Sequence, residues 1–200
     1  MKYVSKGGIA WKALNLARKV ANAVNTEYHY NDYLTGATTI DYSGAVNSLL
    51  TNINQGTGQT QRVGDSCKLQ NLTMRYSVAR NGGDALLRCI VLWDPQNKVG
   101  SVGDVLDSAY VGAARACQAP KAYNKRFQTR ILYDHTHVID AARTLQYVDT
   151  VIPIDQHTTF NQGLSTISSG DLKMLLISNI APAGFNPAIN FIGRVTFTDN

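Results

Sequence analysis

Two periodicities divide this chain. From Ile9 to Val24 apolar side chains recur at helical spacing: on a wheel of about 100° per residue, Ile9, Ala13, Leu16, Ala17, Val20 and Val24 share one side. Lys12, Asn15, Arg18, Lys19 and Asn22 crowd the other, so the spacing predicts an amphipathic basic helix. Trp11 falls on the polar side, where it is placed to stack on an unpaired base or to meet a neighbouring subunit. After about Asn25 the pattern becomes that of a β protein, with runs of Tyr, Thr, Val and Ile broken by Gly, Asn, Asp and Pro. Strands are predicted near 38–52, 66–80, 85–93, 126–139, 146–154, 172–180 and 189–198.

Two of these runs carry more detail. Leu72, Met74, Tyr76 and Val78 alternate with Thr73, Arg75 and Ser77, which predicts one buried and one polar face. Leu86 to Trp93 is apolar almost throughout except for Arg88, as suits a strand covered on both sides. An alanine-rich stretch from Val102 to Ala116 reads as a short helix within a long connection. Seven or eight antiparallel strands without alternating helices point to a two-sheet sandwich. The long connections 97–124 and 160–171 favour Greek-key crossings. The expected fold is therefore all-β, a single eight-stranded antiparallel jelly roll behind an N-terminal helix, divided into an arm of residues 1–30 and a shell domain of residues 31–200.

Composition changes this picture once the charge is located. The chain of 200 residues carries 19 basic and 14 acidic residues, a net charge of +5. Residues 1–26 hold Lys2, Lys6, Lys12, Arg18 and Lys19 and no acid, so the remaining 14 basic and 14 acidic residues balance. A neutral body behind a basic arm is the charge plan of a protein that builds with one part and binds a polyanion with the other. No run approaches the roughly 18 apolar residues of a membrane span, and no apolar segment with a cleavage site follows Lys2 and Lys6. The reading is of an intracellular product without stable membrane insertion.

Catalytic chemistry is hard to place. Gly56-Thr57-Gly58 lacks the third glycine and following helix of a dinucleotide loop, and no Gly-Lys-Ser/Thr occurs. His135 and His137 lie two apart on a predicted strand and could face one metal with Asp134 or Asp140, but outward-facing polar residues explain them more simply. Cys67, Cys89 and Cys117 lack metal spacing and read as buried free thiols. No enzyme activity, metal or cofactor is expected.

Three stretches together resemble the capsid proteins of small circular Rep-encoding single-stranded DNA viruses, and more distantly satellite-virus jelly-roll capsid proteins. They are Asn52 to Arg75 (NINQGTGQTQRVGDSCKLQNLTMR), Asn124 to Ile139 (NKRFQTRILYDHTHVI), and the C-terminal run from Gly170-Asp171-Leu172 to Arg194-Val195-Thr196-Phe197-Thr198-Asp199-Asn200. The resemblance implies that the first is the turn between the first two strands of the roll, the second the fifth strand and the third the last two strands. The arm departs from that family's long arginine-rich arm in being short, sparse in charge and helical.

What the resemblance implies is a virion coat protein that assembles in about 60 copies, or a multiple, around a single-stranded genome, DNA in preference to RNA. Assembly would take place inside the host cell. Candidate nucleic-acid contacts are Lys2, Lys6, Lys12, Arg18 and Lys19 of the arm, with Arg88 and Arg194 as isolated cations facing the lumen from an inner sheet. For both arginines an ordinary salt bridge is the competing reading. Tyr3, Tyr28, Tyr30 and Tyr33 are candidates for subunit contacts. Two rival functions are a non-assembling carbohydrate-binding sandwich, which should cluster exposed aromatics on one face, and membrane attachment through the arm, whose apolar side is rich in alanine and only modestly hydrophobic.

Overall fold

The computed structural model describes residues 11–12, 14–17, 27–125 and 128–199. Nine strands follow in order: β1 (Tyr28–Thr39), β2 (Ala45–Ser48), β3 (Ser66–Ala79), β4 (Ala85–Asp94), β5 (Arg130–Ile139), β6 (Leu145–Phe160), β7 (Ile167–Ser169), β8 (Asp171–Ser178) and β9 (Ala188–Asp199). They form a five-stranded sheet in the order β1-β9-β3-β6-β7 and a four-stranded sheet in the order β2-β8-β4-β5, antiparallel throughout. The pairings nest: β4 with β5, β3 with β6, β2 with β8 and β1 with β9. Such nesting is a long antiparallel ribbon folded at its middle and rolled into two sheets, which is a jelly roll. The three-residue β7 is an addition at the end of β6.

The alternation of β3 does what its sequence predicts. Cys67, Leu69, Leu72, Met74, Tyr76 and Val78 point inward and are buried, and they meet Phe191, Val195 and Phe197 of β9 and Leu87, Cys89, Val91 and Trp93 of β4 in one core. Among the even positions of β4, Ile90, Leu92 and Asp94 are buried as well, and Leu86 and Arg88 are half-buried. Ile90 and Leu92, with Leu175 and Ile177 of β8, pack on the outer side of the four-stranded sheet against Val99, Val102, Val105, Leu106, Ala116 and Ala119 of the connection from β4 to β5. The apolar run Leu86 to Trp93 is thus covered on both faces.

Five sequence expectations change. The first strand begins at Tyr28, and the predicted 38–52 strand divides into the end of β1 and the short β2. Core-facing positions of β1 are His29, Asn31, Tyr33 and Thr35, so no apolar alternation announces it. The expected 102–116 helix is replaced by short 3-10 turns at Val102–Asp104 and Ala116–Gln118: Gly112 takes a left-handed φ of 79°, and Val102, Val105, Leu106 and Ala116 pack onto the sheet while residues 108–110 and 112–115 stay exposed. The 52–75 block joins the second and third strands, not the first and second. The strand predicted from 126 begins at Arg130; Arg126 and Phe127 lie outside the described residues. Strand β6 also runs past Ile154 through a bulge, with Asp155 at φ 50°.

The 49–65 connection is held by a buried cation. Arg62 is fully buried, with its guanidinium 4.3 Å over the Phe160 ring, donating to the Leu164 carbonyl at 2.6 Å and lying 3.5 Å from Asp65. It ties this connection to the turn after β6. Substituting Arg62→Ala strands that carbonyl and opens a void, and is expected to cost about 2–4 kcal/mol in urea unfolding.

Candidate nucleic-acid and assembly surfaces

Each outer face of the sandwich has its own chemistry, and strand register fixes both. On the five-stranded sheet, Asp32, Arg194, Thr73 and Val151 form one row across β1, β9, β3 and β6. Leu34, Ile192, Arg75 and Asp149 form the next. Arg194 donates to both carboxylate oxygens of Asp32, each at 2.7 Å, and its guanidinium lies 4.4 Å over the Tyr30 ring. That bidentate bond and the charge of Arg194 lower the Asp32 pKa. Arg75 donates to Asp149 at 3.0 Å, and Lys68 lies 2.6 Å from Asp155. Every one of these outward cations faces a carboxylate from the neighbouring strand, so the face is close to neutral. Between the pairs stand exposed apolar side chains: Leu34, Ile192, Val151, Tyr147 and Leu145.

The four-stranded sheet handles its outer face differently. Arg88 donates to Asp134 with both ends of its fork, at 2.7 and 2.6 Å, and to the carbonyls of Ala119 at 2.7 Å and Cys117 at 3.3 Å. It therefore pins the long connection onto the sheet. The expectation that Arg88 and Arg194 share one inner sheet does not hold: they sit on opposite outer faces of the sandwich and cannot line one compartment together. Cys117 adds to the same fastening, donating to the Ile177 and Leu86 carbonyls.

Of the arm residues, Lys12 is exposed in a helical stretch with Trp11, Leu14 and Leu16, all exposed; Lys2, Tyr3, Lys6, Arg18 and Lys19 lie outside the described residues. Tyr28 is exposed, Tyr30 stacks under Arg194, and Tyr33 packs edge-on against Phe191 in the core. Sequence reasoning missed Lys68 and Arg75 as companions of Arg194. The alternation of β3 places both on the outward side and was the available signal.

The two histidines also need correction. His135 and His137 stand opposite Cys89 and Leu87, whose side chains face the core; His137 turns inward and is buried, whereas His135 stays exposed. His137 is buried, 2.8 Å from the Tyr76 hydroxyl and 2.8 Å from the Gln146 amide oxygen, while Tyr76 lies 2.9 Å from the Tyr133 hydroxyl. This polar chain stitches β3 and β6 of one sheet to β5 of the other. Burial, the largest influence, lowers the His137 pKa. Asp134 is taken by Arg88 and Asp140 caps its own turn. Among the described residues no group of three or more metal-ligating side chains exists.

A second buried polar group lies where β2, β8 and β4 meet the long connection. Lys173 lies 3.2 Å from Asp94 and 3.6 Å from Asp171, and donates to the Val99 carbonyl at 2.5 Å. Asp94 accepts from the Val99 amide and Asp171 from the Ser48 hydroxyl, each at 2.7 Å. Two carboxylates thus share one lysine, and burial pushes the Asp171 pKa up to about 6.

These surfaces belong to a protein with recognisable relatives. The family model for the satellite tobacco necrosis virus coat protein matches residues 12–178. This chain belongs to that coat protein family. It is a structural capsid protein and a virion component. The match agrees with the more distant of the two resemblances read from the sequence. Solved structures similar to the coat protein include desmodium yellow mottle tymovirus, 10% identical with a TM-score of 0.38 and 87% of each chain covered. Turnip yellow mosaic virus is 11% identical with a TM-score of 0.37, covering 87% of this chain and 94% of that one. Infectious bursal disease virus, Gt strain, is 10% identical with a TM-score of 0.35, covering 88% of this chain and 33% of that one. No curated protein matches the chain.

The buried groups give the coat protein a pH dependence of definite sign. Because the native pKa of Asp171 lies above the ordinary value of 3.8, the native state holds this proton more tightly than the unfolded chain. Its contribution to stability is therefore greatest below about pH 4 and falls as pH rises towards 6. His137 acts in the opposite sense, since its lowered pKa makes stability fall as pH drops below about 6.5. In denaturant midpoints of unassembled subunits, Asp171→Asn should remove the loss between pH 4 and 6, on the order of 2–3 kcal/mol. An unchanged slope in the variant contradicts the assignment.

Proposed function

We propose that copies of this coat protein close into an icosahedral shell and package a single-stranded genome, with the shell built from residues 31–200 and the arm of residues 1–30 turned inward. Lys2, Lys6, Lys12, Arg18 and Lys19 are the phosphate contacts. One observation carries the reading: residues 1–26 contain the whole net charge of +5, whereas the outward cations Lys68, Arg75 and Arg194 each face an aspartate. Polyanion binding by those residues must compete with an ion pair already formed, whereas residues 1–26 contain no acid of their own to compete. Arg194 is then a secondary contact and Arg88 a structural one. Contacts of this kind are to phosphate, so binding is indifferent to base sequence and weakens steeply with salt.

The charge count limits what the arm can do. Five cations in about 60 copies give roughly 300 charges, a minor part of what a genome above about a thousand nucleotides requires. Polyamines or free cations neutralise the remainder. The block resemblance supports DNA as the cargo, and DNase against RNase digestion of nucleic acid recovered from nuclease-washed particles decides it. The buried polar groups of the body support a framework role without catalysis: Lys173, Asp94 and His137 each hold neighbouring strands or connections together.

Replacing Lys12, Arg18 and Lys19 together by Ala should leave shells visible by negative-stain microscopy but lower their ratio of absorbance at 260 to 280 nm. An unchanged ratio removes the arm from packaging. A solitary subunit at high concentration across a wide range of salt and pH removes the shell itself.

A further inference from the structure

The open face of the five-stranded sheet is the largest unexplained feature of the body. Leu34 of β1 stands directly opposite Ile192 of β9, and they are 67% and 50% exposed. Val151 of β6 lies in the adjoining row, and Tyr147 and Leu145 continue the same side of β6 at 66% and 65% exposure. The apolar positions span β1, β9 and β6 and border a depression lined by Asp32, Leu34, Thr73, Arg75, Ile192 and Arg194. Exposed apolar side chains grouped in this way on one sheet face mark a contact site. The other sheet shows how this fold treats the problem: its outer face is covered by a segment of its own chain. Among the described residues, nothing equivalent covers this one.

The sequence of the same chain carries an apolar stripe of matching kind. Residues 9–24 carry Ile9, Ala13, Leu16, Ala17, Val20 and Val24 on one side at helical spacing, and Leu16 is 64% exposed. The segment is tethered beside the open face. It leads into Tyr28, the first residue of β1, and β1 is an edge strand of that sheet. The four steps from Val24 to Tyr28 reach at most about 14 Å. A helix of these residues is about 24 Å long. That exceeds the roughly 20 Å along β1 from the row of Tyr28 to the row of Leu34 and Ile192, and the short tether gives contact within the chain a high effective concentration. Charge agrees with this seating: the sheet face has its cations and carboxylates paired, so an apolar helix side meets no uncompensated charge there.

We propose that residues 9–24 lie as a helix across the outer face of the five-stranded sheet of their own subunit, apolar side down on Leu34, Ile192 and Val151. The seating turns a nearly neutral sheet into a surface that presents Lys12, Arg18 and Lys19 on the side of the helix away from the sheet. It links the two halves of the charge plan, because the shell wall acquires its positive charge by being covered. The docking is independent of the packaging reading, since it depends on the apolar side of the helix alone.

Crosslinking in the full chain tests it. The native thiols are buried and burial pushes their pKa values up, Cys67 and Cys89 to about 12 and Cys117 to about 11, so introduced surface cysteines react selectively. A short bismaleimide added to assembled particles of the Leu16→Cys, Ile192→Cys double variant should yield a crosslink within one chain, identified by peptide mass mapping. Leu16→Cys with Val138→Cys, on the opposite face of the sandwich, should yield none. In a second measurement, Leu34→Asp with Ile192→Asp should raise deuterium uptake of the 9–24 peptide several-fold while β3 peptides stay protected. Crosslinks only between chains, which seat the helix on a neighbouring copy, or uptake unchanged by the two aspartates, overturn the proposal. Adding the Lys12, Arg18 and Lys19 substitutions should leave the crosslink in place even if packaging fails.

Discussion

Interdigitation of two inner sheet faces is the interaction on which the rest of this molecule depends. Met74, Tyr76 and Leu72 from one sheet close on Leu87, Cys89 and Val91 from the other, and all are essentially without solvent contact. Because side chains alternate along a strand, choosing the inner face also fixes what every outer position presents. The Tyr76, His137 and Gln146 chain satisfies both ring nitrogens of His137 where β5 and β6 meet across the sheets.

The outer faces then divide the work. Beyond the four-stranded sheet, Ile90, Leu92, Leu175 and Ile177 form a second small core with the long connection, which Arg88 and Cys117 fasten in place. Beyond the five-stranded sheet lies a level field of cross-strand ion pairs with apolar side chains between them. A coat protein needs surfaces that are folded and still adhesive, and this one keeps its charge in an appendage while its wall stays balanced. Like-charged walls would repel one another on closing, whereas paired charges do not.

Much of this architecture was legible in the sequence, and the failures have causes. Strands β3 and β4 announce themselves by strict alternation and by an unbroken apolar run. Strand β1 does not, because its inward positions are filled by polar residues that find partners only in the fold: His29 stacks on Phe197, and Asn31 donates to the Leu49 and Thr51 carbonyls. The 102–116 stretch has the composition of a helix, but Val102, Val105, Leu106 and Ala116 are drawn onto the apolar outer face of the sheet and Gly112, at a left-handed φ, interrupts the run between them. Arg88 and Arg194 looked alike as lone cations in apolar strands. Strand register put Asp32 directly opposite Arg194 and Asp134 diagonally across from Arg88, and the two arginines lie on opposite sides of the molecule.

The sequence by itself determined the β character, the single sandwich, the buried thiols and the separation of a basic arm from a balanced body, because each follows from local periodicity or from a count along the chain. Only the tertiary structure decided which cations are neutralised, which apolar positions remain exposed and which histidines turn inward. Those outcomes depend on which strands become neighbours and in what register. Pairing of residues as distant as Asp32 and Arg194 is set by the closing of the roll, not by anything either residue carries alone.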